Sequence, residues 1–421
     1  GIITGTAPAE PGTYKITFKA KNSRGEASRE FNLVAGGKLA LTPPMGWNDW
    51  YIHYDRVTAG KMRAAADAMI SSGLADAGYM YVNIDDCWMT KRGQSPLRDT
   101  NKAVLNNEKF PDMKGLADYI HSKGLRAGLY TSPGEWTCAG YTGAFRHEEA
   151  DANMFAEWGF DFLKYDWCSY IGTGANQRKR YSKPYEKMGA ILKTLDRDIV
   201  FNLCQYGMDN VWEWGASAGG NSWRTTGDLG LEKGAGLPGF YTIGMKNAEH
   251  YQYARPGEWN DPDYILIGWV GDARGMGEGT PTTLTPDEQY SYMSMWSLMA
   301  SPLIFSGDME KLDAFTLNVL ANNEVIDVDQ DPLGIQGRIV RNKDEQFILA
   351  KPLEDGSLAI GLFNLADTPK NISVSWSELG IAGEQTARDL WRQKDTGKFG
   401  GGYSAEVPPH GVSLVKLRKA E

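Results

Sequence analysis

Cysteine and histidine are scarce in this chain, at four and five among 421 residues. So few cysteines exclude a disulfide-stapled scaffold. The histidines form no cluster for zinc, and His147-Glu148-Glu149-Ala150-Asp151 lacks the second histidine of a metalloprotease helix. No run approaches the roughly 18 apolar residues of a membrane span. Basic residues are not in excess: 44 Lys and Arg stand against 53 Asp and Glu, for a net charge of -9. That balance disfavours nucleic acid, which needs a surplus of cations. Gly275-Met276-Gly277-Glu278-Gly279 lacks the strand-to-helix context of a dinucleotide site. No signal peptide is legible. The chain opens at Gly1-Ile2-Ile3-Thr4-Gly5 without an initiator Met. It reads as a processed or truncated product, so the missing signal says little against export.

What is present is a long, well-packed globular sequence. Its length suits two or three domains, and 42% of it is hydrophobic. Aromatics are plentiful, with 14 Trp, 20 Tyr and 14 Phe. Most are expected in the core, although Trp and Tyr also stack on the apolar faces of sugar rings.

Three regions are expected. Residues 1–36 read as β, with Gly12 to Ala20 and Ala27 to Val34 alternating around an Asn22-Ser23-Arg24-Gly25-Glu26 turn. They resemble the last strands of a bacterial immunoglobulin-like module. Gly36-Gly37 marks the boundary. Residues 37–334 alternate strand and helix. Strand-like runs are Pro44–Trp50, Tyr79–Asp85, Leu125–Thr131, Phe160–Asp166, Ile199–Gln205, Ser222–Asp228, Gly257–Asp263 and Pro302–Asp308. Helical patterns cover Ala59–Ser72, Phe110–Lys123, Glu148–Trp158 and Pro184–Leu195, and Thr285-Pro286-Asp287-Glu288 is a capping box that opens another. Eight such units predict a (β/α)8 TIM barrel, with a doubly wound open sheet as the alternative. Residues 335–421 lose the helical signal and predict a C-terminal antiparallel β-sandwich.

The chemistry gathers at strand C-termini. Phe162-Leu163-Lys164-Tyr165-Asp166-Trp167-Cys168 is an apolar run that ends in a carboxylate. A strand-end Asp often caps the next helix. Lys164, however, is two residues back on the same strand face, where a cation holds a carboxylate ionised. Ser222-Trp223-Arg224-Thr225-Thr226-Gly227-Asp228 presents a second acid, which alone would pass for a turn residue. Two acids at one rim are what glycosidic bond cleavage needs, one as nucleophile and one as proton donor. Asp85-Asp86 is either a solvated loop pair or a clamp on vicinal hydroxyls, since ionised carboxylates accept hydroxyl donors well. Cys138 follows the third strand and Cys168 lies two residues after Asp166, so the two are expected to pair. Cys87 and Cys204 fall in strand-end patterns and read as reduced and buried. One disulfide fits a periplasmic or secreted protein, and four free thiols in a cytosolic one remain the alternative.

With Met45-Gly46-Trp47, Ile84-Asp85-Asp86-Cys87-Trp88 and Trp259-Asn260-Asp261-Pro262-Asp263, the chain resembles glycoside hydrolase family 27. That family contains α-galactosidases and α-N-acetylgalactosaminidases. The resemblance decides for the barrel and implies a retaining exo-glycosidase acting on terminal α-D-galactosides of oligosaccharides or glycans. It implies no cofactor and no metal.

The resemblance also implies the roles of single residues. Asp166 is the nucleophile and Asp228 the acid/base, desolvated enough to carry its proton at rest. Asp85 and Asp86 grip the axial O4 and the O6 of galactose, and Arg224 contacts sugar hydroxyls. Leu203-Cys204-Gln205-Tyr206-Gly207 is the loop that reads the 2-position, and the bulk of Cys204 and Tyr206 favours a free 2-hydroxyl. Trp47, Trp88, Tyr130 and Trp259 are candidate pocket walls, each equally suited to the core. Lys164 and Asp263 complete the substrate-binding set. β-L-Arabinopyranosides and α-N-acetylgalactosaminides are alternative substrates on the same scaffold, and isomaltose-releasing dextranase activity is a remoter one. A non-catalytic sugar-binding module is the rival of another class.

Overall fold

The computed structural model describes residues 6, 8–171, 177–229, 237–271 and 277–420, without the side chains of 177–179. Gly1–Gly5 and the first part of the Gly275–Gly279 run lie outside the described residues. Residues 1–39 and 40–421 are two compact units.

The first unit is a hairpin. β1 (Gly12–Asn22) pairs antiparallel with β2 (Gly25–Ala35), from Gly12 opposite Ala35 to Asn22 opposite Gly25. Asn22 turns the chain by accepting a hydrogen bond from the Arg24 amide at 2.8 Å. Tyr14, Ile16 and Phe18 share a face with Leu33 and Phe31, as the two-residue period requires. Among the described residues no further strand joins this pair. The immunoglobulin-like reading therefore finds no support: alternation specifies strands, but not the module they come from.

The second unit opens with a ring of eight parallel strands. They are β3 (Met45–Asn48), β4 (Tyr81–Asn83), β5 (Arg126–Thr131), β6 (Phe162–Asp166), β7 (Val200–Cys204), β8 (Ser222–Arg224), β9 (Trp259–Asp261) and β12 (Leu303–Phe305). Between the last two, β10 (Trp269–Val270) and β11 (Thr280–Pro281) form a small antiparallel pair. The spatial order is β12-β3-β4-β5-β6-β7-β8-β9. A parallel bridge between Ile265 and Phe305 brings the two ends together. All eight expected strands are present, and most stop short of their expected C-termini. Asp85, Gln205, Asp228 and Asp263 thus lie past the last paired residue, on the rim loops. There the chain turns sharply, with positive φ at Cys87 (77°), Tyr206 (65°) and Asp263 (85°).

The helices follow their terminal signals. Thr58 caps Ala59–Ser71 through the Lys61 amide, and Thr285 with Glu288 forms the expected capping box on Pro286–Leu298. Gly159 ends Glu148–Trp158 in the left-handed region. The helix expected from Pro184 begins earlier and spans Gln177–Leu192, with Pro184 inside it. Trp167 packs against Tyr181 and Tyr185 on either side of that proline, which holds the helix to the barrel. The helix Gly239–Ala248 was not expected, because it has no side-chain cap and begins with glycine.

The C-terminal layers are antiparallel. β13 (Arg338–Lys343), β14 (Gln346–Pro352), β15 (Leu358–Asn364), β17 (Gln385–Asp389), β18 (Lys394–Phe399) and β20 (Val412–Lys419) form one sheet in the order β13-β14-β15-β20-β17-β18. β16 (Lys370–Ser375) and β19 (Gly402–Val407) form the other. Ile348, Ile360, Ile372, Val374 and Val415 lie in the core between them. This sandwich docks on the helix Pro286–Leu298, where the Trp391 indole donates to Ser294 Oγ at 2.9 Å and Ser291 donates to the His410 carbonyl at 2.8 Å. Among the described residues no helix is long and apolar enough to cross a membrane.

Candidate active site

β6 delivers two charged side chains to the C-terminal rim. Lys164 and Asp166 share one face of the strand, and both are buried. Asp166 is held at both oxygens. The Tyr206 hydroxyl donates to Oδ1 at 2.6 Å and the Tyr130 hydroxyl to Oδ2 at 3.0 Å. Burial raises the Asp166 carboxyl above its ordinary range. The charges of Asp85 and Asp228 push the same way, while Lys164 and the Tyr206 hydrogen bond oppose them.

Lys164 does more for Asp85 than for Asp166. Its ammonium donates to Asp85 Oδ2 at 2.8 Å, and Asn48 and Tyr264 reach the same oxygen at 2.9 and 3.1 Å. The Asp86 amide donates to Asp85 Oδ1 at 3.0 Å. Asp86 in turn accepts from the amides of Cys87 and Ala139 at 2.7 and 2.9 Å. Adjacent acids survive here because each has its own donors. Burial still pushes the Asp86 carboxyl up to about 7.

β8 supplies Arg224. Its Nη2 donates to the Gly227 carbonyl at 2.7 Å, lies 3.3 Å from Asp228 Oδ1 and 3.2 Å from Asp263 Oδ2. Its Nη1 lies 3.8 Å from Cys204 Sγ. Asp263 Oδ2 also accepts from the Tyr51 hydroxyl at 2.9 Å and the Leu229 amide at 2.8 Å. The guanidinium is locked at 3% side-chain exposure, whereas the Asp228 side chain is 64% exposed. The desolvation expected at Asp228 is thus absent from the open site. The carboxyl projects from a rim loop past the end of β8, where solvent reaches it.

Cys138 and Cys168 form the expected disulfide, with Cα atoms 5.1 Å apart. Cys168 Sγ lies 3.5 Å from the Tyr130 hydroxyl, and Cys138 Sγ lies 4.0 Å from that of Tyr206. The bond ties together two rim loops and backs both tyrosines that hold Asp166. Cys87 and Cys204 are free and buried, as their pattern implies.

Several expected site residues sit elsewhere or are closed off. Trp47 is fully buried; its indole donates to the Gly307 carbonyl at 2.8 Å and its ring meets His53. Trp259 is also fully buried, at the opposite end of its strand from Asp261, and its indole donates to the Ala40 carbonyl at 2.7 Å. Trp88 packs on Phe155 and Trp158 behind Tyr130. None of the three has surface left for a sugar, because burial and a satisfied N–H make them framework. Gln205 is fully buried and turns back to the Met208 carbonyl at 2.9 Å.

The sequence reading missed four rim residues. Asp49 accepts from the Asp85 amide at 2.6 Å, and Tyr51 and Tyr264 brace Asp263 and Asp85. Trp50, directly after β3, keeps part of its ring exposed where Trp47 has none. For three of them the signal was the polar and aromatic run Asp49-Trp50-Tyr51 that follows the first barrel strand, while Tyr264 directly follows Asp263.

Comparison with known proteins accords with this geometry. The profile of the family described as alpha galactosidase A matches residues 42–331, and that of the alpha galactosidase C-terminal beta sandwich domain matches residues 343–417. Alpha-galactosidase 3 of Arabidopsis thaliana is 38% identical over 410 residues, covering 96% of this chain and 87% of the relative. The crystal structure of alpha-galactosidase I from Mortierella vinacea superposes with a TM-score of 0.83 at 31% identity, covering 92% of this chain and 99% of that one. An alpha-galactosidase from Saccharomyces cerevisiae, solved with raffinose, superposes with a TM-score of 0.79 at 26% identity, covering 91% of this chain and 98% of that one. The chain belongs to the alpha galactosidase A family, within glycoside hydrolase family 27.

Proposed function

We propose that this chain is a retaining exo-α-galactosidase in which Asp166 is the nucleophile and Asp228 the acid/base. The observation that carries the reading is the asymmetry of the two acids. Asp166 is buried and fixed by two tyrosine hydroxyls, while Asp228 stands exposed beside Arg224. An attacking oxygen needs a fixed direction toward the anomeric carbon. A proton donor must meet the leaving oxygen and, later, water, both of which arrive from solvent.

In the first step an Asp166 oxygen bonds to the anomeric carbon as the glycosidic C–O bond breaks, and Asp228 gives its proton to the departing oxygen. In the second step Asp228 takes a proton from water. That water attacks the same carbon, and the Asp166 ester bond breaks. Two inversions retain the anomeric configuration. The bound sugar supplies the desolvation of Asp228 that the open site lacks.

Asp85 and Asp86 are the clamp for the axial 4-hydroxyl and the 6-hydroxyl. Lys164, Tyr130, Asp263 and Arg224 orient the ring. Cys204 and Tyr206 fill the space that a 2-acetamido group would need. The partners are galactosyl oligosaccharides or glycans. The disulfide fits a periplasmic or secreted setting.

Two measurements test the reading. NMR should show α-galactose as the first product, and a first-formed β-anomer would refute retention. Among nitrophenyl glycosides, kcat/KM should be highest for α-galactoside, above α-N-acetylgalactosaminide, β-L-arabinopyranoside and α-glucoside. A preference for the acetamido sugar would overturn the 2-position argument, and a preference for the arabinoside would change the donor but not the mechanism.

A further inference from the structure

The Lys164 ammonium stands against two tyrosine rings, 5.4 Å from the centre of Tyr130 and 5.0 Å from that of Tyr264. Each tyrosine donates to one carboxylate. Tyr130, on β5, holds Asp166 Oδ2 at 3.0 Å. Tyr264, on the rim just past β9, holds Asp85 Oδ2 at 3.1 Å. Burial pushes the Tyr264 hydroxyl well above the usual tyrosine range, so it stays protonated and donates.

The donors on Asp85 are unevenly shared. Oδ2 takes three, from Lys164 at 2.8 Å, Asn48 at 2.9 Å and Tyr264. Among the described residues Oδ1 takes one, the Asp86 amide at 3.0 Å. A carboxylate oxygen offers two lone pairs, so Oδ2 is saturated and Oδ1 has one to spare. The three Oδ2 donors arrive from β6, β3 and the rim past β9, so the carboxylate plane cannot turn without breaking one of them. The main chain is fixed as well, because Asp49 Oδ1 holds the Asp85 amide at 2.6 Å.

We infer that Tyr264 is a positioning residue that sets sugar specificity: by locking Asp85 Oδ2 to the protein, it leaves Oδ1 to grip one sugar hydroxyl and no second. A carboxylate free to turn would offer both oxygens to the sugar. With Oδ2 spent, the other hydroxyl of the clamp falls to Asp86. Tyr264 holds Asp85 rather than the attacking Asp166, so it acts on sugar binding and not on bond cleavage. Tyr130 is its counterpart on the other side of Lys164, where the carboxylate held is the nucleophile. The inference rests on the galactosidase reading, which supplies the sugar.

Tyr264→Phe tests it. The ring stays against Lys164 and Tyr51, the Tyr264 carbonyl still accepts from Tyr292, and Asp85 Oδ2 keeps two donors. The variant should therefore fold, which a melting curve checks. On nitrophenyl α-galactoside KM should rise about tenfold, the scale of one hydrogen bond to a charged group, while kcat stays within about twofold. A structural defect alone would lower kcat through the active fraction and leave KM in place. The same assay on the 4-deoxy and 6-deoxy galactosides locates the hydroxyl. The variant's loss in kcat/KM should persist on one and vanish on the other, which lacks the hydroxyl that Oδ1 holds. Equal losses on both, an unchanged KM, or a fall in kcat alone would overturn the proposal and leave the galactosidase reading standing. A wild type that cleaves none of the three would fell that reading and the inference with it.

Discussion

The Tyr206 hydroxyl donates to Asp166 Oδ1 at 2.6 Å, and Tyr206 reaches it from a left-handed backbone with φ of 65°. Such a conformation is uncommon for a bulky residue and persists only where its surroundings enforce it. Here the Cys138 sulfur lies beside the hydroxyl and the Arg224 guanidinium lies over the ring, 5.8 Å from its centre. The rim accepts strain to aim one hydrogen bond at one carboxylate.

Tyr206→Phe should therefore lower kcat about 10- to 100-fold, the range of a hydrogen bond to a charged group at about 1.5–3 kcal/mol. The pH profile carries the sharper test. Tyr206 lowers the Asp166 pKa against the pull of burial, so its loss moves that pKa higher. A nucleophile must be ionised, so the acidic limb of kcat/KM should move to higher pH. A fall in kcat with a stationary limb would mean that Tyr206 acts on something other than Asp166.

Asp166→Asn should abolish turnover and leave the fold intact, because an amide cannot attack the anomeric carbon. Asp228→Asn should be selective. Poor leaving groups need its proton and should suffer most, whereas a dinitrophenyl galactoside should still give a burst. Azide should then rescue the second step, since it attacks without a general base. Equal losses across leaving groups, or no rescue, would reassign the roles.

Much of this was legible in the chain. Several barrel strands, such as β5 and β6, are largely apolar runs that end in a polar group, so the run placed the strand and the polar group placed the rim; β8 (Ser222-Trp223-Arg224) and β9 (Trp259-Asn260-Asp261) carry polar residues throughout. Asp166 stood out by its place at the end of a buried strand with Lys164 on the same face. Asp85–Asp86 read equally as a loop pair or a clamp, and Asp228 and Arg224 took their roles from the family resemblance, since Asp228 alone passes for a turn residue. The tryptophans were not legible. Trp47, Trp259 and Trp50 carry the same side chain, and only packing separates two framework residues from one with open surface. Within the sandwich, edge strands such as Lys394–Phe399 bury too little to alternate clearly.

Replacing Cys138 and Cys168 together by serine should cost both stability and rate. The bond closes a loop of 30 residues, worth about 3–4 kcal/mol in the chain-entropy account. It also backs Tyr130 and Tyr206, so kcat should fall more than KM rises. Denaturant unfolding and steady-state kinetics on the double variant check the two effects separately. Lost stability with full kcat would make the disulfide a staple alone.

Asp86 links acidity to folding. Its buried carboxyl sits at about 7 against a usual 3.8, with burial the main cause. Between about pH 4 and pH 7 the folded state thus holds a proton that the unfolded chain has released. Its contribution is most favourable below about pH 4 and is lost as pH rises through 7. Asp49, Asp166 and Asp263 are raised as well and tilt the curve the same way. Asp86→Asn should remove one share of that slope, so its melting temperature should vary less between pH 4 and pH 7 than that of the wild type. The variant should also be less stable at low pH. Asp86 accepts from the amides of Cys87 and Ala139, and an asparagine has one acceptor oxygen to offer them, leaving a buried donor unpaired at about 1–3 kcal/mol. Thermal melts at five or six pH values separate the outcomes. A curve that shifts down in parallel, with its slope intact, would mean that Asp86 is ionised throughout and that its backbone donors outweigh its burial.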